Sequence, residues 1–316
     1  MQTPLDVGVD VSSKTVLAAC AARSFAPRTL SNQAKVLRSW LQSLPAGTRV
    51  GVEATGGYHQ LLADLAHAAG LTVYVLNPRD MKKYAEGVGR RGKTDRVDAE
   101  MIARFVAREH DRLHAYVPAS PAQRHLEQLL KRRGKLVATR VALELGWSGV
   151  AGIKPELAAL LKAHARLLRQ VDQLIAQAVA DQPEVQVRAR RLRAIPGYGP
   201  LGSLTMAHAL SRLPFTTVDA FIAHTGLDPR PQDSGDRRGR RRLSKRGPAE
   251  LRRIMHICAM SAASTKVWRP YYLAQRAKGL SGTAALVVLS RKMARTAYGI
   301  CKQQVEFDPT RLESTA

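Results

Sequence analysis

The stretch Leu5-Asp6-Val7-Gly8-Val9-Asp10-Val11 decides the fold at the start of this 316-residue chain, because apolar residues occupy every second position in it. That two-residue period is typical of a β-strand with one buried face. A second apolar run, from Lys14 to Ala22, follows directly after Ser12-Ser13. The two runs predict a β-hairpin.

Strand and helix patterns alternate after the hairpin. The predicted helices run from Gln33 to Leu44 and from about Tyr58 to Ala69, and the predicted strands from Arg49 to Ala54 and from Thr72 to Leu76. Strands that alternate with helices in this way indicate a layered α/β domain. We assign residues 1–118 to it, because the chain changes character at Pro118-Ala119-Ser120-Pro121.

Residues 119–183 are predicted to form a long helical hairpin, with arms from Gln123 to Leu145 and from Glu156 to Val179. In the second arm, apolar residues and one histidine recur at alternating three- and four-residue steps, as at the a and d positions of a coiled coil. These residues are Leu157, Leu160, His164, Leu167, Val171, Leu174 and Ala178. The stripe either forms a coiled coil through which the chain self-associates, or packs on its own domain. His164 is interpreted as a residue that sets the register.

Residues 184–316 are predicted to form a mainly helical C-terminal domain, with the clearest helices from Leu251 to Ala263 and from Thr283 to Cys301. The turn Pro196-Gly197-Tyr198-Gly199 precedes an apolar helix and resembles a helix-hairpin-helix element. In such an element the backbone N–H groups, here around Gly197 and Gly199, bind a phosphate without reading bases. The competing interpretation is an ordinary turn between helices.

The composition indicates a polyanionic partner. The chain carries 50 Lys and Arg against 25 Asp and Glu, a formal net charge of +25. Because such an excess repels itself unless phosphates neutralise it, nucleic acid is the expected partner. No membrane is expected, since no run approaches the roughly 20 apolar residues of a spanning helix and no signal peptide is visible. Cys20, Cys258 and Cys301 lie far apart, so we predict no disulfide framework or zinc site and a reducing, cytosolic compartment.

Four carboxylates lie where they could share metal ions. Asp10 ends the first predicted strand, Glu53 ends a later strand, and Asp95 and Asp98 are three residues apart at the start of a helical pattern. Carboxylate oxygens suit Mg²⁺, and two such ions about 4 Å apart stabilise both the attacking and the leaving oxygen at a phosphate. The alternative is that the aspartates cap a helix and the strand-end residues belong to turns.

A serine lies at the start of the most basic segment. Ser234-Gly235 ends a loop sequence, and seven Lys or Arg residues follow between Arg237 and Arg246. This serine would face a phosphate held by the basic residues, although Ser-Gly pairs are also common in turns. The residues predicted to bind nucleic-acid phosphates are Lys93, Arg237, Arg238, Arg240, Arg241, Arg242, Lys245 and Arg246, together with Gly197 and Gly199.

Six motifs follow one another along nearly the whole chain, each modest alone and specific jointly. They are Gly8-Val9-Asp10-Val11-Ser12-Ser13-Lys14, Glu53-Ala54-Thr55-Gly56-Gly57-Tyr58, Lys93-Thr94-Asp95-Arg96-Val97-Asp98-Ala99, Ile195-Pro196-Gly197-Tyr198-Gly199-Pro200, Gly226-Leu227-Asp228-Pro229-Arg230 with Ser234-Gly235, and Leu243-Ser244-Lys245-Arg246-Gly247 with Leu251-Arg252-Arg253. In this order they resemble the DEDD transposases of bacterial insertion sequences, the insertion-sequence 110 family, which includes the Piv-type DNA invertases.

The resemblance implies a RuvC-like N-terminal domain of RNase H fold, whose DEDD tetrad maps onto Asp10, Glu53, Asp95 and Asp98. It also implies a C-terminal transposase domain whose family serine maps onto Ser234, with Ser244 as the alternative if the alignment differs. In this family the serine is thought to form a covalent phosphoserine bond with DNA, while the metal cluster of a neighbouring protomer completes the site. Several members are guided by a structured bridge RNA.

Three hypotheses follow for function. The first is a recombinase that acts on double-stranded donor and target DNA, either as a transposase or as a site-specific invertase of the same family. It is expected to need Mg²⁺, a structured guide RNA, and a dimer that assembles into a tetramer, in the cytoplasm at the nucleoid. The second is a structure-specific nuclease that uses metal-activated water. The third is a non-catalytic nucleic-acid binding protein. Whether metal and serine sites are completed within one chain or between chains stays open.

Overall fold

The alternating valine stretch forms the central strand of a five-stranded mixed sheet in the computed structural model of the protein. The structure describes residues 3–22, 25–89, 92, 94–231, 233–234, 239 and 241–315. Contacts divide the chain into two units, Met1–Pro118 and Ala119–Ala316. The division into three domains stays a prediction.

The first unit follows the predicted order of strands and helices. Its elements are β1 (Asp6–Val11), β2 (Thr15–Cys20), β3 (Arg28–Ser31), α1 (Ala34–Gln42), β4 (Arg49–Glu53), α2 (His59–Ala68), β5 (Thr72–Leu76), α3 (Pro78–Gly87) and α4 (Asp95–Glu109). The strand order is β3-β2-β1-β4-β5, with β1 antiparallel to β2 and parallel to β4. The predicted hairpin is therefore confirmed, and the mixed sheet with its helices is consistent with an RNase H-like domain. Neither β3 nor α3 was predicted from the sequence.

The two faces of β1 have different roles because side chains alternate along a strand. Val7, Val9 and Val11 are buried in a core that also holds side chains of α1 and α2. The opposite face carries Gly8, where a Cβ atom would lie 2.1 Å from the carbonyl oxygen of Ala99 in α4. Glycine at this position lets the backbone of α4 lie directly on the sheet.

The second unit is mainly helical, as predicted. Its elements are α5 (Pro121–Gly146), α6 (Lys154–Ala180), α7 (Pro183–Arg193), α8 (Pro200–Arg212), α9 (Val218–Thr225), β6 (Pro229–Arg230), β7 (Arg242–Leu243), α10 (Ala249–Ala262), α11 (Arg269–Ala277), α12 (Gly282–Gln303) and the 3₁₀ segment Pro309–Thr315. Ser120 caps α5 through a reciprocal bond with Gln123. Among the described residues, no helix is long and apolar enough to cross a bilayer.

The predicted heptad stripe of α6 divides between two faces of the helix. The partly or fully buried face carries four of the predicted residues, Leu157, His164, Val171 and Ala178. The same face also carries Leu161, Leu168 and Ile175. The other three, Leu160, Leu167 and Leu174, are 50%, 46% and 43% exposed. His164 Nε2 lies 2.9 Å from the carbonyl oxygen of Leu136 in α5, so this histidine contacts the other arm of the hairpin. A coiled coil between chains stays a prediction.

Candidate active site

Asp10 and Glu53 lie at the carboxyl ends of two neighbouring parallel strands, at equivalent positions. Val9 of β1 is paired with Val52 of β4, and each valine is followed directly by one of the two acidic residues. Since both valines are buried in the core on one face, alternation places Asp10 and Glu53 on the other face, which α4 covers. Both carboxylates are partly buried.

Asp95 and Asp98 lie in the first turn of α4, where a negative charge is favoured by the helix dipole. Thr94 caps this helix, because its Oγ1 accepts a hydrogen bond of 3.3 Å from the Val97 N–H. One and two turns after these aspartates, Ile102 would meet a Cβ atom at Gly51 of β4 at 2.9 Å. The helical period therefore puts both aspartates on a side of α4 that continues onto the sheet.

The opposite side of α4 carries an ion pair that lines a cavity. Arg96 and Glu100 form an ion pair of 3.0 Å and line a cavity with Cys20, which is paired with Val7 near the beginning of β1. The helical period places Asp95 and Asp98 on the side of α4 opposite this cavity. Of the four predicted ligands, the strand register places Asp10 and Glu53 side by side.

The donor set fits a hard divalent cation in its chemistry, since all four residues are carboxylates. Their side chains do not form a completed coordination sphere. Within the part of the chain that the structure describes, no three His, Cys, Asp or Glu side chains lie close enough to hold a metal ion together. Lys93 lies outside the described residues. The assignment of the tetrad as metal ligands stays a prediction.

Asp6 lies on the same face of β1 as Asp10 and has its own partner. Arg49 donates from Nε to Oδ1 at 2.6 Å and from Nη2 to Oδ2 at 3.0 Å. This two-point pair between neighbouring strands occupies both oxygens of Asp6. Asp6 is therefore engaged at the opposite end of the strand from Asp10.

Ser234 lies exposed on the loop between β6 and β7, in the second unit. These short strands pair antiparallel, with Pro229 opposite Leu243 and Arg230 opposite Arg242. We call residues 229–243 the serine hairpin. Of the predicted phosphate-binding residues, Arg241, Arg242, Lys245 and Arg246 are exposed on or beside it, and Arg237, Arg238 and Arg240 lie outside the described residues.

A carboxylate next to the serine joins the two sides of the loop. Asp233 Oδ1 accepts hydrogen bonds from Arg241 Nη1 at 2.5 Å and from the Gly239 N–H at 3.1 Å. The hydrogen bond from Arg241 holds the pKa of Asp233 below its ordinary value. Sequence reasoning missed this contact, although an acid eight residues before an arginine in a hairpin loop was a usable signal. These hydrogen bonds restrict the conformation of Asp233, the residue directly before Ser234.

The base of the serine hairpin is tied by short-range contacts. The Ser244 N–H donates to the Asp228 carbonyl oxygen at 3.0 Å, and the Ser244 hydroxyl donates to the Asp228 carboxylate. Arg252 donates from Nη1 to the carbonyl oxygens of Thr225 and Gly247. Ser244, the alternative nucleophile, therefore has a hydroxyl engaged in closing the hairpin, whereas Ser234 is exposed on its loop.

The glycine-rich turn between α7 and α8 has a packing role. Gly197 has a φ of +97°, and a Cβ atom there would lie 2.5 Å from Ala262 Cβ and 2.8 Å from the Cys258 carbonyl oxygen of α10. Gly197 is thus required for the close approach of this turn to α10. Gly199 is exposed at the N-cap of α8, where backbone N–H groups begin the helix. A helix-hairpin-helix role for the turn stays a prediction.

Comparison with known proteins matches both halves of the chain to one family. The DEDD transposase model of the IS110 family, described as "Transposase", matches residues 7–145. The model described as "Transposase IS116/IS110/IS902 family" matches residues 189–273. The chain belongs to the IS110 family of DEDD transposases. The first match contains Asp10, Glu53, Asp95 and Asp98, and the second contains Ser234 and the serine hairpin.

Relatives of this IS110-family chain are similar over most of their length. The pilin gene-inverting protein of Moraxella bovis is 26% identical over 96% of this chain and 97% of its own. The pilin gene-inverting protein of Moraxella lacunata is 27% identical over 86% of each chain. The transposase for insertion sequence element IS1328 of Yersinia enterocolitica is 26% identical over 82% of this chain and 85% of its own. The chain is accordingly an enzyme of the transposase and recombinase class.

Proposed function

We propose that this protein is an insertion-sequence transposase that cuts and rejoins DNA strands through a phosphoserine formed on Ser234. The observation that carries the proposal is the serine hairpin, which presents an exposed Ser234 beside exposed basic residues on a loop joined by Asp233 and Arg241. A nucleophilic hydroxyl must reach phosphorus without obstruction, and neighbouring cations hold the phosphate in place.

The proposed chemistry conserves the energy of the broken bond. The Ser234 oxygen attacks a backbone phosphorus, a bond from that phosphorus to a deoxyribose oxygen breaks, and the serine ester forms in its place. The proton lost by the serine is matched by the proton that the leaving deoxyribose oxygen gains. Attack by the hydroxyl of another strand reverses the step, releases Ser234 and joins the two strands.

In this proposal the four carboxylates of the first unit support the reaction. Asp10, Glu53, Asp95 and Asp98 would hold Mg²⁺, two ions being expected, which supplies charge stabilisation at the phosphate oxygens when bound. β1 and β4 would give one carboxylate each and α4 would give two. By resemblance to the family, the tetrad that serves a given Ser234 belongs to a neighbouring protomer.

We expect self-association through α6. Leu160, Leu167 and Leu174 are exposed and lie one heptad apart, so a second copy of the helix would cover them as in a two-stranded coiled coil. Such a dimer would bring two serine hairpins to DNA, and two dimers would provide the four needed to cut donor and target. Double-stranded donor and target DNA and a structured guide RNA are the proposed partners, consistent with the net charge of +25.

Inversion of a DNA segment is the second candidate function. It is favoured by the two relatives named pilin gene-inverting protein, one of which matches along 97% of its length. Transposition and inversion share the same strand chemistry and differ in the arrangement of the DNA sites. Supplying plasmids with direct or inverted sites and sequencing the products distinguishes them.

Trapping the protein on DNA tests the serine. A reaction stopped in denaturant should leave a protein–DNA adduct with the wild type and no adduct with Ser234→Ala, while Ser244→Ala and the exposed-surface control Ser264→Ala should still form it. Asp10→Asn should fail to form it but should still bind duplex. Normal strand cleavage by Ser234→Ala would contradict the proposal in favour of a metal-dependent nuclease, and an adduct lost only in Ser244→Ala would move the nucleophile to Ser244.

A further inference from the structure

A large cavity lies between α11 and α12, away from every residue assigned to the serine hairpin. It has a volume of about 830 Å³, and the 3₁₀ segment at the end of the chain supplies Pro309, Thr310 and Leu312 to its wall. Small-molecule sites range from about 300 to 1,000 Å³. The cavity is therefore large enough for a nucleotide and too small for a DNA duplex.

The charge of the cavity wall has one sign. Lys266, Lys278, Arg291 and Lys292 line it, and no Asp or Glu is among the described lining residues. In the part of the chain that the structure describes, Lys266, Lys278 and Arg291 take no part in an ion pair, whereas Arg295, one turn after Arg291, is paired with Asp219. Several cations around a concave wall concentrate a positive potential there, which attracts an anion.

Aromatic and apolar side chains complete the same wall. Lys292 Nζ lies 5.8 Å from the ring centroid of Tyr271, so a cation and a flat ring are neighbours in the cavity. Burial lowers the pKa of Lys292, and a bound anion would offset that loss of hydration. Trp268 is stacked on Phe307 and only 1% exposed, and its indole Nε1–H has no hydrogen-bond acceptor among the described residues.

We propose that this cavity binds one unpaired nucleotide of a nucleic-acid strand, with its phosphates on Lys278 and Arg291 and its base beside Tyr271. The proposal rests on the proposed function, because it assumes a protein that acts on nucleic acid. A base within an intact duplex presents no free face, so only an extruded or looped-out nucleotide fits. The cavity would then hold a bulge or loop while the serine hairpin acts on a phosphate elsewhere.

Equilibrium binding to two matched oligonucleotides tests the proposal. The full-length protein should bind a duplex with one central unpaired nucleotide about tenfold more tightly than the same duplex fully paired, since stacking of one base on an aromatic ring supplies this much. The double variant Lys278→Gln/Arg291→Gln should lose the preference and keep its affinity for the paired duplex within about threefold. The control Arg269→Gln/Lys302→Gln removes two exposed charges outside the cavity and should keep the preference.

A measurement on the wild type removes any dependence on correct folding of the variants. A 5-iodouracil base at the unpaired position should cross-link on illumination to Tyr271, found by mass spectrometry, and a paired 5-iodouracil should not. DNA and RNA versions of each oligonucleotide should be compared, because the tighter of the two identifies which strand supplies the nucleotide.

Equal affinity of the wild type for bulged and paired duplexes, or a cross-link elsewhere than in the cavity, would overturn the proposal. It would also be overturned if inorganic phosphate displaced the bulged strand at the same phosphate concentration as unlabelled bulged strand. Paired duplex that still binds and still forms the Ser234 adduct would show that only this inference has failed. Loss of all nucleic-acid binding would contradict the proposed function itself.

Discussion

Replacing Gly8 by alanine should push α4 away from β1 and separate the carboxylates that these two elements carry. A Cβ atom at this position would lie 2.1 Å from the Ala99 carbonyl oxygen and 2.2 Å from the Ala103 nitrogen. Ordinary contact begins at 3.4 Å, so α4 would have to retreat by about 1.3 Å, the difference between 3.4 Å and 2.1 Å. Because the obstructing atoms belong to the helix backbone, no change of side-chain rotamer can relieve the overlap.

The displacement should lower both the stability of the domain and the rate of strand exchange. Overpacking of a core costs typically 1–3 kcal/mol, and an overlap with backbone belongs at the upper end, about 3 kcal/mol. In a domain of this size that loss lowers the melting temperature by about 10 °C or more. A misplacement of about 1 Å at a reacting centre costs on the order of 100-fold in rate, so strand exchange should fall by about that factor below the melting temperature. Calorimetry and a plasmid strand-exchange assay on the full-length chain measure the two effects.

Gly87→Ala is the matched control, because nothing lies within 4 Å of a Cβ atom at that helical position. Its melting temperature should be unchanged or slightly raised, since alanine favours helix over glycine by about 1 kcal/mol. A wild-type melting temperature and a full exchange rate in Gly8→Ala would show that strand exchange does not depend on the close packing of α4 against β1.

Three further predictions concern the loop, the buried histidine and α6. Asp233→Asn should lower the rate of adduct formation by about tenfold, because the residue before Ser234 loses its contact with Arg241. It should leave the melting temperature unchanged, because that pair is exposed; Asp219→Asn, which breaks the exposed pair with Arg295, should leave the rate unchanged. Burial lowers the pKa of His208, so the unfolded chain takes up a proton more readily and the free energy of unfolding should decrease as the pH falls below about 6.5. Chemical denaturation at several pH values should show a weaker decrease in His208→Gln, and an identical decrease would contradict this assignment. The triple variant Leu160→Ala/Leu167→Ala/Leu174→Ala should form a smaller particle than the wild type in light scattering. A wild-type protein that is monomeric in the same measurement would refute the α6 dimer.

The leucines of α6 show where sequence reasoning stopped. The three- and four-residue steps of Leu157, Leu160, His164 and Leu167 satisfy the helical period, but so do those of Leu157, Leu161, His164 and Leu168. Both stripes exist, and only contact with α5 selects the second for burial. The choice depends on a partner segment distant in sequence, which a local period does not contain.

The sequence by itself determined the strand pairing at the start of the chain, the strand-end positions of Asp10 and Glu53, and the helix start at Asp95. These features depend on alternation, turns and caps within a few residues. The net charge of the chain likewise predicted a polyanionic partner without reference to structure. Only the tertiary structure decided that α4 lies on the glycine face of β1 and β4, that Asp233 is bound by Arg241, and that α11 and α12 enclose a basic cavity. Those features arise from packing between segments far apart in sequence, where close approach and partner choice depend on three-dimensional distances.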